Sequence, residues 1–274
     1  MQPISVEKIS LLDALSTFYP DSSKRTLRIW LKNKRVSVNG SLATMPNQLI
    51  DKNSIISVGK VIPVLEQGLK IIYEDDHLVV LDKPSGLLSV PLDKGRSVNA
   101  WMILKQYCQY HVYPVHRIDK ETSGVMVFAK THAAKEGLKR LFKEHDLTRE
   151  YIALVEGHLA EEKGVWKSYL VEQENLDVTP TDTEQGCLAI THYEVLRTSA
   201  KCSWLKLILH TGRKHQIRVQ SKEAGHVIVG DKRYDASMNS YKRLCLHAHR
   251  LAFMHPITQK KMDFTAESPQ FVTD

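Results

Sequence analysis

Apolar and polar positions along the first 59 residues change from a helical period to a strand period. Apolar side chains recur at helical spacing over residues 9–19, and the serines that follow can cap a second helix over residues 22–33. Strands are predicted at 35–40, where an Asn-Gly turn ends the strand, and at 55–58. Two helices followed by short strands indicate a small α+β domain at residues 1–59.

A second pattern begins after residues 60–70, which carry Pro63 and Gly68 in an unpatterned stretch and are predicted to be a linker. Strands are then predicted at 71–73, 78–82, 124–130, 151–156, 203–210 and 250–254. Helices are predicted at 98–107, 131–145 and 214–224. Because strands and helices do not alternate strictly, the order favours an α+β domain at residues 71–274 over a doubly wound sheet.

Composition excludes several classes of protein. The 274 residues include 42% hydrophobic and 25% charged residues, which is typical of a globular protein. No apolar run approaches the roughly 20 residues that span a bilayer. The N-terminus lacks a basic stretch followed by an apolar one, so we expect no signal peptide, no membrane association and a cytoplasmic location.

The four cysteines form no Cys-x-x-Cys pair, so we expect reduced, mostly structural thiols. His111, His116 and His132 do not have the spacing of a ligand cluster, and we expect no metal site.

Positive charge is concentrated at the N-terminus. Residues 1–60 hold nine basic and four acidic residues, which accounts for most of the chain's net charge of +7. An excess of this kind favours a polyanionic partner. The second predicted helix presents Lys24, Arg25, Arg28 and Lys32, for which we predict RNA contact, although a merely solvated face is the alternative.

The segment 116–124 places a carboxylate among cations. It reads His-Arg-Ile-Asp-Lys-Glu-Thr-Ser-Gly and leads into an apolar strand. Neighbouring cations favour the ionised form of Asp119, and an ionised carboxylate at a strand edge can act as nucleophile or base. Spacing alone equally allows a loop salt bridge followed by a turn.

The segment 211–219 places a glycine and several cations at the start of a helix, an arrangement that suits an anion or phosphate contact. On helical spacing, Arg218 can face a site while Ile217 packs inward. A solvated basic helix start is the alternative. The segment 79–91, with Pro-Ser-Gly between two apolar runs, is predicted to be a structural hairpin.

These three segments, in this order, resemble the RluA-type family of RNA pseudouridine synthases. The resemblance rests on His-Arg-x-Asp-x-x-Thr-Ser-Gly at 116–124, on Gly-Arg-x-His-Gln-x-Arg at 212–218, and on Gly-His-x-Ile-x-Gly-Asp at 225–231. It covers about residues 70–265. The first domain resembles an S4-type RNA-binding domain, from Ser-Lys-Arg at 23–25 to Val-Asn-Gly at 38–40. The implied fold is α+β, with a mixed, mainly antiparallel sheet in the catalytic domain.

The resemblance implies a role for each matching residue. Asp119 is the catalytic nucleophile or base that lets the C1′–N1 bond of uridine break, Tyr151 stacks on the base and assists proton removal from C5, and Arg218 positions Asp119. Arg117 fills the space of the flipped nucleotide, and Leu246 lines the uracil pocket. His116, Arg213 and Lys214 are assigned to RNA contact. No metal or organic cofactor takes part.

The implied reaction is the isomerisation of specific uridines in structured RNA, with large-subunit ribosomal RNA as the preferred substrate and transfer RNA as an alternative. We expect a monomer. The competing hypotheses are a non-catalytic RNA-binding or ribosome-assembly protein with the same fold, and a cofactor-free hydrolase that uses Asp119 and His116. Ile118 replaces the more usual Leu, and Lys214 stands where Ser or Thr is common; neither change removes a catalytic group.

Overall fold

A computed structural model describes residues 8–20, 22–32, 36–39, 41–43, 45–58, 64–91, 97–108, 111–182 and 185–273, without the side chains of residues 26, 29, 32 and 42. The chain divides into two compact units, 1–63 and 64–274. None of the described helices is long and apolar enough to cross a membrane.

The described residues of the first unit form two helices and five short strands: β1 (Lys8–Ser10), α1 (Leu11–Phe18), α2 (Lys24–Lys32), β2 (Val36–Val38), β3 (Ser41–Ala43), β4 (Leu49–Asp51) and β5 (Ile56–Val58). Ser10 caps α1 by accepting a hydrogen bond from the backbone N–H of Asp13 at 3.1 Å. Strand β1 pairs with β4, and β2 lies between β3 and β5. Both predicted helices and both predicted strands are confirmed, whereas β1, β3 and β4 were not predicted.

The amphipathic pattern of α2 has a direct structural result. Leu27 and Leu31 are fully buried in the core of this unit, while Lys24, Arg25 and Arg28 are exposed. Lys24 pairs with Asp13 at 3.2 Å. The side chain of Lys32 lies outside the described part of the chain.

The second unit contains the remaining elements: β6 (Lys70–Glu74), β7 (Leu78–Lys83), α3 (Ala100–Cys108), β8 (Tyr113–Pro114), β9 (Ser123–Ala129), α4 (His132–Glu144), β10 (Thr148–Glu156), β11 (Lys163–Glu172), β12 (Val178–Thr181), β13 (Cys187–Thr198), β14 (Cys202–Leu209), α5 (Gln216–Glu223), β15 (Leu246–Met254), β16 (Lys261–Thr265) and α6 (Gln270–Thr273). Residues 64–70, within the predicted linker, belong to this unit and include a short 3-10 helix at Glu66–Gly68.

Eleven strands form one sheet, in which nine follow the order β12-β11-β13-β14-β10-β15-β9-β7-β6, while β16 pairs with β15 and β8 pairs with β9. Among the described strands of this sheet, β15 and β9 form the one parallel pair and all other pairs are antiparallel. The predicted α+β class with a mixed, mainly antiparallel sheet is confirmed. All six strands and three helices predicted for this region are present.

The center of the sheet is the most deeply buried part of the molecule. All seven residues of β9 are buried, as are most residues of β14, so both strands pack on both faces. Tyr151 on β10 packs against two separate hydrophobic clusters, one around Leu205 and one around Phe128. The candidate site therefore lies where two cores meet.

The predicted hairpin at 79–91 is wrong. Strand β7 pairs with β6 and β9, so both of its edges are occupied and the segment after Gly86 cannot fold back onto it. The segment instead runs beneath the loop before β9, where Gly86 N–H donates to Lys120 O at 2.8 Å and Ser89 Oγ donates to Ile118 O at 2.6 Å.

Candidate active site

The loop between β8 and β9 is hydrogen-bonded to the end of β7 and to the segment that follows it. Lys83 is fully buried, and its ammonium donates to the carbonyls of Pro84, Leu87 and Lys120 at 3.0, 2.7 and 3.1 Å. Burial lowers the pKa of Lys83 to about 7, while the charge of Asp119 favours the protonated form. Three carbonyl acceptors around one ammonium fix the backbone next to Asp119.

His116 supports the same loop from the sheet side. Its Nε2 accepts a hydrogen bond from Val127 N–H at 3.0 Å, and its ring stacks on Phe142 with centroids 4.5 Å apart. Desolvation of this half-buried ring, together with the charge of Arg149, lowers the pKa of His116 to about 3. The ring is therefore neutral and directs its acceptor nitrogen at β9, although it also lines the cleft described below.

Arg218 connects two carboxylates. Its Nε and Nη2 donate to the two oxygens of Asp231, both at 2.7 Å, and its Nη1 donates to Asp119 Oδ2 at 3.2 Å. Arg218 and Asp231 are almost fully buried, whereas one fifth of the Asp119 side chain is exposed. Burial disfavours the charged guanidinium, but the hydrogen bonds and charge of Asp231 outweigh it and raise the pKa of Arg218. Asp231 thus fixes the guanidinium of Arg218, which in turn orients Asp119.

Helix α5, which carries Arg218, is attached to the sheet by two glutamines. Gln216 donates to Ile190 O at 3.0 Å and to Thr191 Oγ1 at 2.9 Å. Gln220 accepts from Thr191 Oγ1 at 2.7 Å and donates to Ala189 O at 3.1 Å. Both glutamines are buried and one helical turn apart, so they lie on the same face of α5 and attach it to the sheet through hydrogen bonds.

His215 lies behind Asp119. Its Nδ1 is 2.8 Å from the hydroxyl of Tyr234 and its Nε2 is 3.9 Å from Asp119 Oδ2. Burial lowers the pKa of His215, and the charge of Asp119 opposes this shift. Tyr234 also lies under the Arg218 guanidinium, with the cation 5.0 Å from the ring centroid.

These elements enclose a cleft of about 580 Å³. The predicted site residues Asp119, Tyr151, Arg218, Arg117, Arg213, His116 and Leu246 all line it. Among its described lining residues, Asp119 is the single carboxylate. Burial raises the pKa of Tyr151 to about 12, so its phenol is protonated at neutral pH.

Three of the lining residues are exposed cations, namely Arg117, Lys143 and Arg213. Leu246 is buried and contributes an apolar wall. Lys214 does not line the cleft; its ammonium is 2.5 Å from Glu172 Oε1 and 2.9 Å from Leu176 O. Lys24, Arg25 and Arg28 belong to the first unit.

Sequence reasoning missed the supporting residues, namely Asp231, Lys83, Ser89, Gln216 and Gln220. Asp231 and Gln216 stand inside the motifs quoted above and Gln220 lies between two of them, but a single sequence does not show that these residues are buried. In the part of the chain that the structure describes, no group of three or more His, Cys, Asp or Glu side chains could hold a metal ion.

Comparisons of the sequence with a family model and with individual proteins indicate the same family. Residues 77–223 match the RNA pseudouridylate synthase family. The chain is 41% identical over 208 residues to the dual-specificity RNA pseudouridine synthase RluA of Pasteurella multocida, a match that covers 74% of this chain and 95% of that protein. It is 30% identical over 297 residues to the ribosomal large subunit pseudouridine synthase D of Salmonella typhimurium, covering 95% of this chain and 87% of that one.

The fold agrees with solved structures. The human RNA pseudouridylate synthase domain containing 4 superposes with a TM-score of 0.62 at 24% identity, over 74% of this chain and 90% of that chain. With the family match covering more than half of the sequence, this chain belongs to the RluA-type RNA pseudouridine synthases, which are isomerases.

Proposed function

We propose that this protein converts uridine to pseudouridine in structured RNA, with Asp119 as the catalytic carboxylate. The observation that carries the proposal is the isolation of this carboxylate. It is the single acid among the described residues of a cleft that also contains Arg117, Arg213 and Arg218. A polyanionic strand is attracted to such a cleft, and one carboxylate inside it is placed to react.

The reaction balances within the substrate. The C1′–N1 bond of the target uridine breaks, the uracil turns, a C1′–C5 bond forms, and the proton from C5 is replaced by one on N1. Asp119 acts as nucleophile or base in the step that releases uracil. Arg218 keeps the Asp119 carboxylate oriented, because its other two donors are fixed by Asp231. No co-reactant is required.

Tyr151 and Leu246 hold the base. A protonated phenol ring is an uncharged stacking surface, which accepts a uracil face without specific hydrogen bonds. Leu246 packs against the same base from the buried wall of the cleft. The family resemblance also assigns Tyr151 a part in the removal of the C5 proton. The charge of Arg149 opposes the rise in the pKa of Tyr151, and burial outweighs it.

Arg117 compensates for extrusion of the nucleotide. Taking a base out of a helix costs about a few kcal/mol, and a side chain that occupies the vacated space offsets part of that cost. Arg117 is exposed and two residues from Asp119, so it can enter the helix while the target base enters the cleft.

The first unit is the basis for the preferred substrate. The match to the Salmonella synthase covers 95% of this chain and therefore extends into residues 1–63, whereas the match to RluA covers 74%. We assign residues 1–59 to an S4-like RNA-binding domain, whose exposed cations Arg25 and Arg28 contact phosphates. Large-subunit ribosomal RNA is the preferred substrate, and the enzyme acts as a monomer in the cytoplasm.

The test is a mapping assay on two RNA classes. Unmodified ribosomal RNA and transfer RNA are incubated separately with the protein, and new pseudouridines are mapped by carbodiimide labelling and reverse transcription. We expect new stops on ribosomal RNA that disappear with Asp119→Asn, while the affinity of this variant for RNA stays near wild type. Stops confined to transfer RNA would overturn the substrate preference. Full activity of Asp119→Asn would exclude the mechanism.

The same assay distinguishes the binding-protein hypothesis. If no stops appear although the protein binds RNA, and charge reversal of Arg25 and Arg28 to Glu abolishes that binding, the protein acts by binding alone.

A further inference from the structure

Arg149 is a cation of the cleft to which the mechanism above assigns no substrate contact. It stands on β10 two residues before Tyr151, and both side chains line the cleft. Successive residues of a strand are separated by about 3.4 Å, so the two positions are roughly 7 Å apart along β10. That separation is comparable to the distance between a nucleobase and its own backbone phosphate.

The guanidinium of Arg149 has weak partners in the free protein. Its Nη2 lies 3.5 Å from both Leu209 O and His210 O, which is the outer limit of a hydrogen bond. Its buried Nε has no hydrogen-bond partner among the described residues. No described carboxylate lies within ion-pair distance of it, whereas the guanidinium of Arg218 has two such partners. Arg149 is half-buried, but its Nε is buried without a hydrogen-bond partner, which is the exception in folded proteins, and an acceptor supplied by a ligand accounts for it.

The surroundings of Arg149 are positive. The cations Lys143 and Arg213 line the same cleft, and the single acid there, Asp119, is paired with Arg218. Burial, and then the charges of Arg149 and Arg213, lower the pKa of His145, which lies on the same side. Like charges held together without a counter-ion repel each other, and an anion relieves that repulsion.

The residue opposite Arg149 leaves room for its side chain. A Cβ at position 212, where the chain has Gly212, would lie 2.4 Å from Arg149 Nη1. The glycine between β14 and α5 therefore permits the guanidinium to lie against the backbone that leads to Arg213. A single added methyl group would displace the guanidinium without removing any charge.

We propose that Arg149, with Arg213 beside it, binds a phosphodiester of the RNA strand next to the target uridine. This proposal rests on the proposed function. An arginine fork binds phosphate through paired charge-assisted hydrogen bonds. The base is then stacked on Tyr151 and the sugar lies beside Asp119. A phosphate bound to Arg149, two residues from Tyr151 along β10, fixes the remaining group of the nucleotide.

The test combines protein variants with a neutralised phosphate. The probe is a short RNA stem-loop with one uridine, placed in its loop, which carries either native phosphates or a single uncharged methylphosphonate on the 5′ or the 3′ side of that uridine. Affinity is measured for wild type, Arg149→Met and Gly212→Ala. Arg140→Met serves as the matched control, since Arg140 is exposed on α4 and outside the cleft lining.

We expect Arg149→Met to weaken binding of the native RNA about tenfold or more, because a hydrogen bond to a charged group is lost. Gly212→Ala weakens binding to a smaller degree, and Arg140→Met stays close to wild type. At one of the two positions, the methylphosphonate lowers the affinity of the wild type to that of Arg149→Met for the native RNA. The same methylphosphonate does not lower the affinity of Arg149→Met any further. Inorganic phosphate that competes equally against native and methylphosphonate RNA would indicate a general anion site and overturn the proposal.

Additive losses for the variant and the methylphosphonate at both positions would also overturn it. Turnover of the native stem-loop is measured in parallel to separate the two proposals. If the two losses of affinity are non-additive and no turnover is seen, the phosphate site is supported and isomerase activity on this RNA is excluded. Turnover with additive losses retains the activity and rejects the phosphate site.

Discussion

At the scale of single residues, the site depends on Arg218, whose guanidinium nitrogens donate hydrogen bonds to two different carboxylates. Two of its nitrogens are held by Asp231, which is 1% exposed, and the third contacts Asp119. Removing the guanidinium would leave the Asp231 carboxylate buried and unpaired. Because that penalty exceeds the value of the contact itself, we expect Arg218 to contribute to stability in addition to its proposed role in catalysis.

Arg218→Met is therefore expected to lower the free energy of unfolding by about 3–5 kcal/mol. Urea denaturation followed by tryptophan fluorescence measures the loss, with Trp30→Phe as the background so that the remaining three tryptophans report on the second unit alone. Lys222→Met, which removes an exposed cation from the same helix, should cost less than about 1 kcal/mol. The double variant with Asp231→Asn should be more stable than the sum of the single losses predicts; strict additivity would contradict this explanation.

The residues that line the cleft were predictable from the sequence, and the residues that support them were not. Asp119 stands in a motif whose residue types suggest chemistry. Asp231, Gln216 and Gln220 carry side chains that are usually exposed, and burial follows from a fold that joins residues far apart in sequence. Tyr151 has no distinguishing neighbours and gains its role from its place on the strand next to β15.

At the scale of elements, the site depends on the parallel contact between β9 and β15. Ser123 and Gly124 pair with His247 and Ala248 at the point where the loop of Asp119 enters the sheet. Gly124 has φ +118°, and a Cβ at this position would lie 2.1 Å from Ala248 O. Neither the backbone conformation nor the space accepts a side chain.

Gly124→Ala is expected to destabilise the second unit by about 3 kcal/mol or more, from strained backbone and steric overlap together. Thermal unfolding measures the effect. Gly225→Ala is the control, because Gly225 also has a positive φ of +82° but no described atom would lie within 4 Å of its added methyl group, so it should lose only about 1 kcal/mol. Equal losses for the two variants would show that the close approach of β15 is unimportant.

Strong hydrophobic periods were read correctly, and polar strands were missed. Helix α4 was predicted at 131–145 and lies at His132–Glu144, with Thr131 as its cap. Strands β11, β12 and β13 form the edge of the sheet, where long segments such as Lys163–Glu172 expose charged residues on one face and stay half-buried on the other. Their apolar positions do not alternate strictly with polar ones, as the adjacent Val165 and Trp166 show, so one sequence does not distinguish a strand from a loop here.

At the scale of the whole molecule, two histidines with lowered pKa values connect stability to pH. His116 accepts a hydrogen bond from Val127 N–H, and the buried His247 has its Nδ1 2.8 Å from Ser123 Oγ, which accepts from Arg243. Burial lowers the pKa of both rings to about 3, and nearby cations add to the shift. Both rings are therefore neutral in the folded state.

Stability should fall as pH falls from about 6.5 towards 3. In this window the unfolded histidines bind protons that the folded ones do not, so each contributes a slope of roughly 1.4 kcal/mol per pH unit. Urea denaturation at several pH values in the Trp30→Phe background measures the slope. His116→Gln should reduce it by about one proton's contribution, whereas His132→Gln, at an exposed position, should leave it unchanged. An undiminished slope in His116→Gln would contradict the assignment of a neutral ring.

The central position of β15 also sets the order in which the protein can become active during its synthesis. Ser123 meets its partner His247 across 124 residues of sequence. At about 5–20 residues per second, the ribosome needs roughly 6–25 s to make that interval. Until then β9 lacks its parallel partner and the loop of Asp119 lacks its neighbouring strand. The nascent chain therefore passes through a long inactive period, in which β9, fully buried in the finished fold, has only β7 and the short β8 as partners among the described strands.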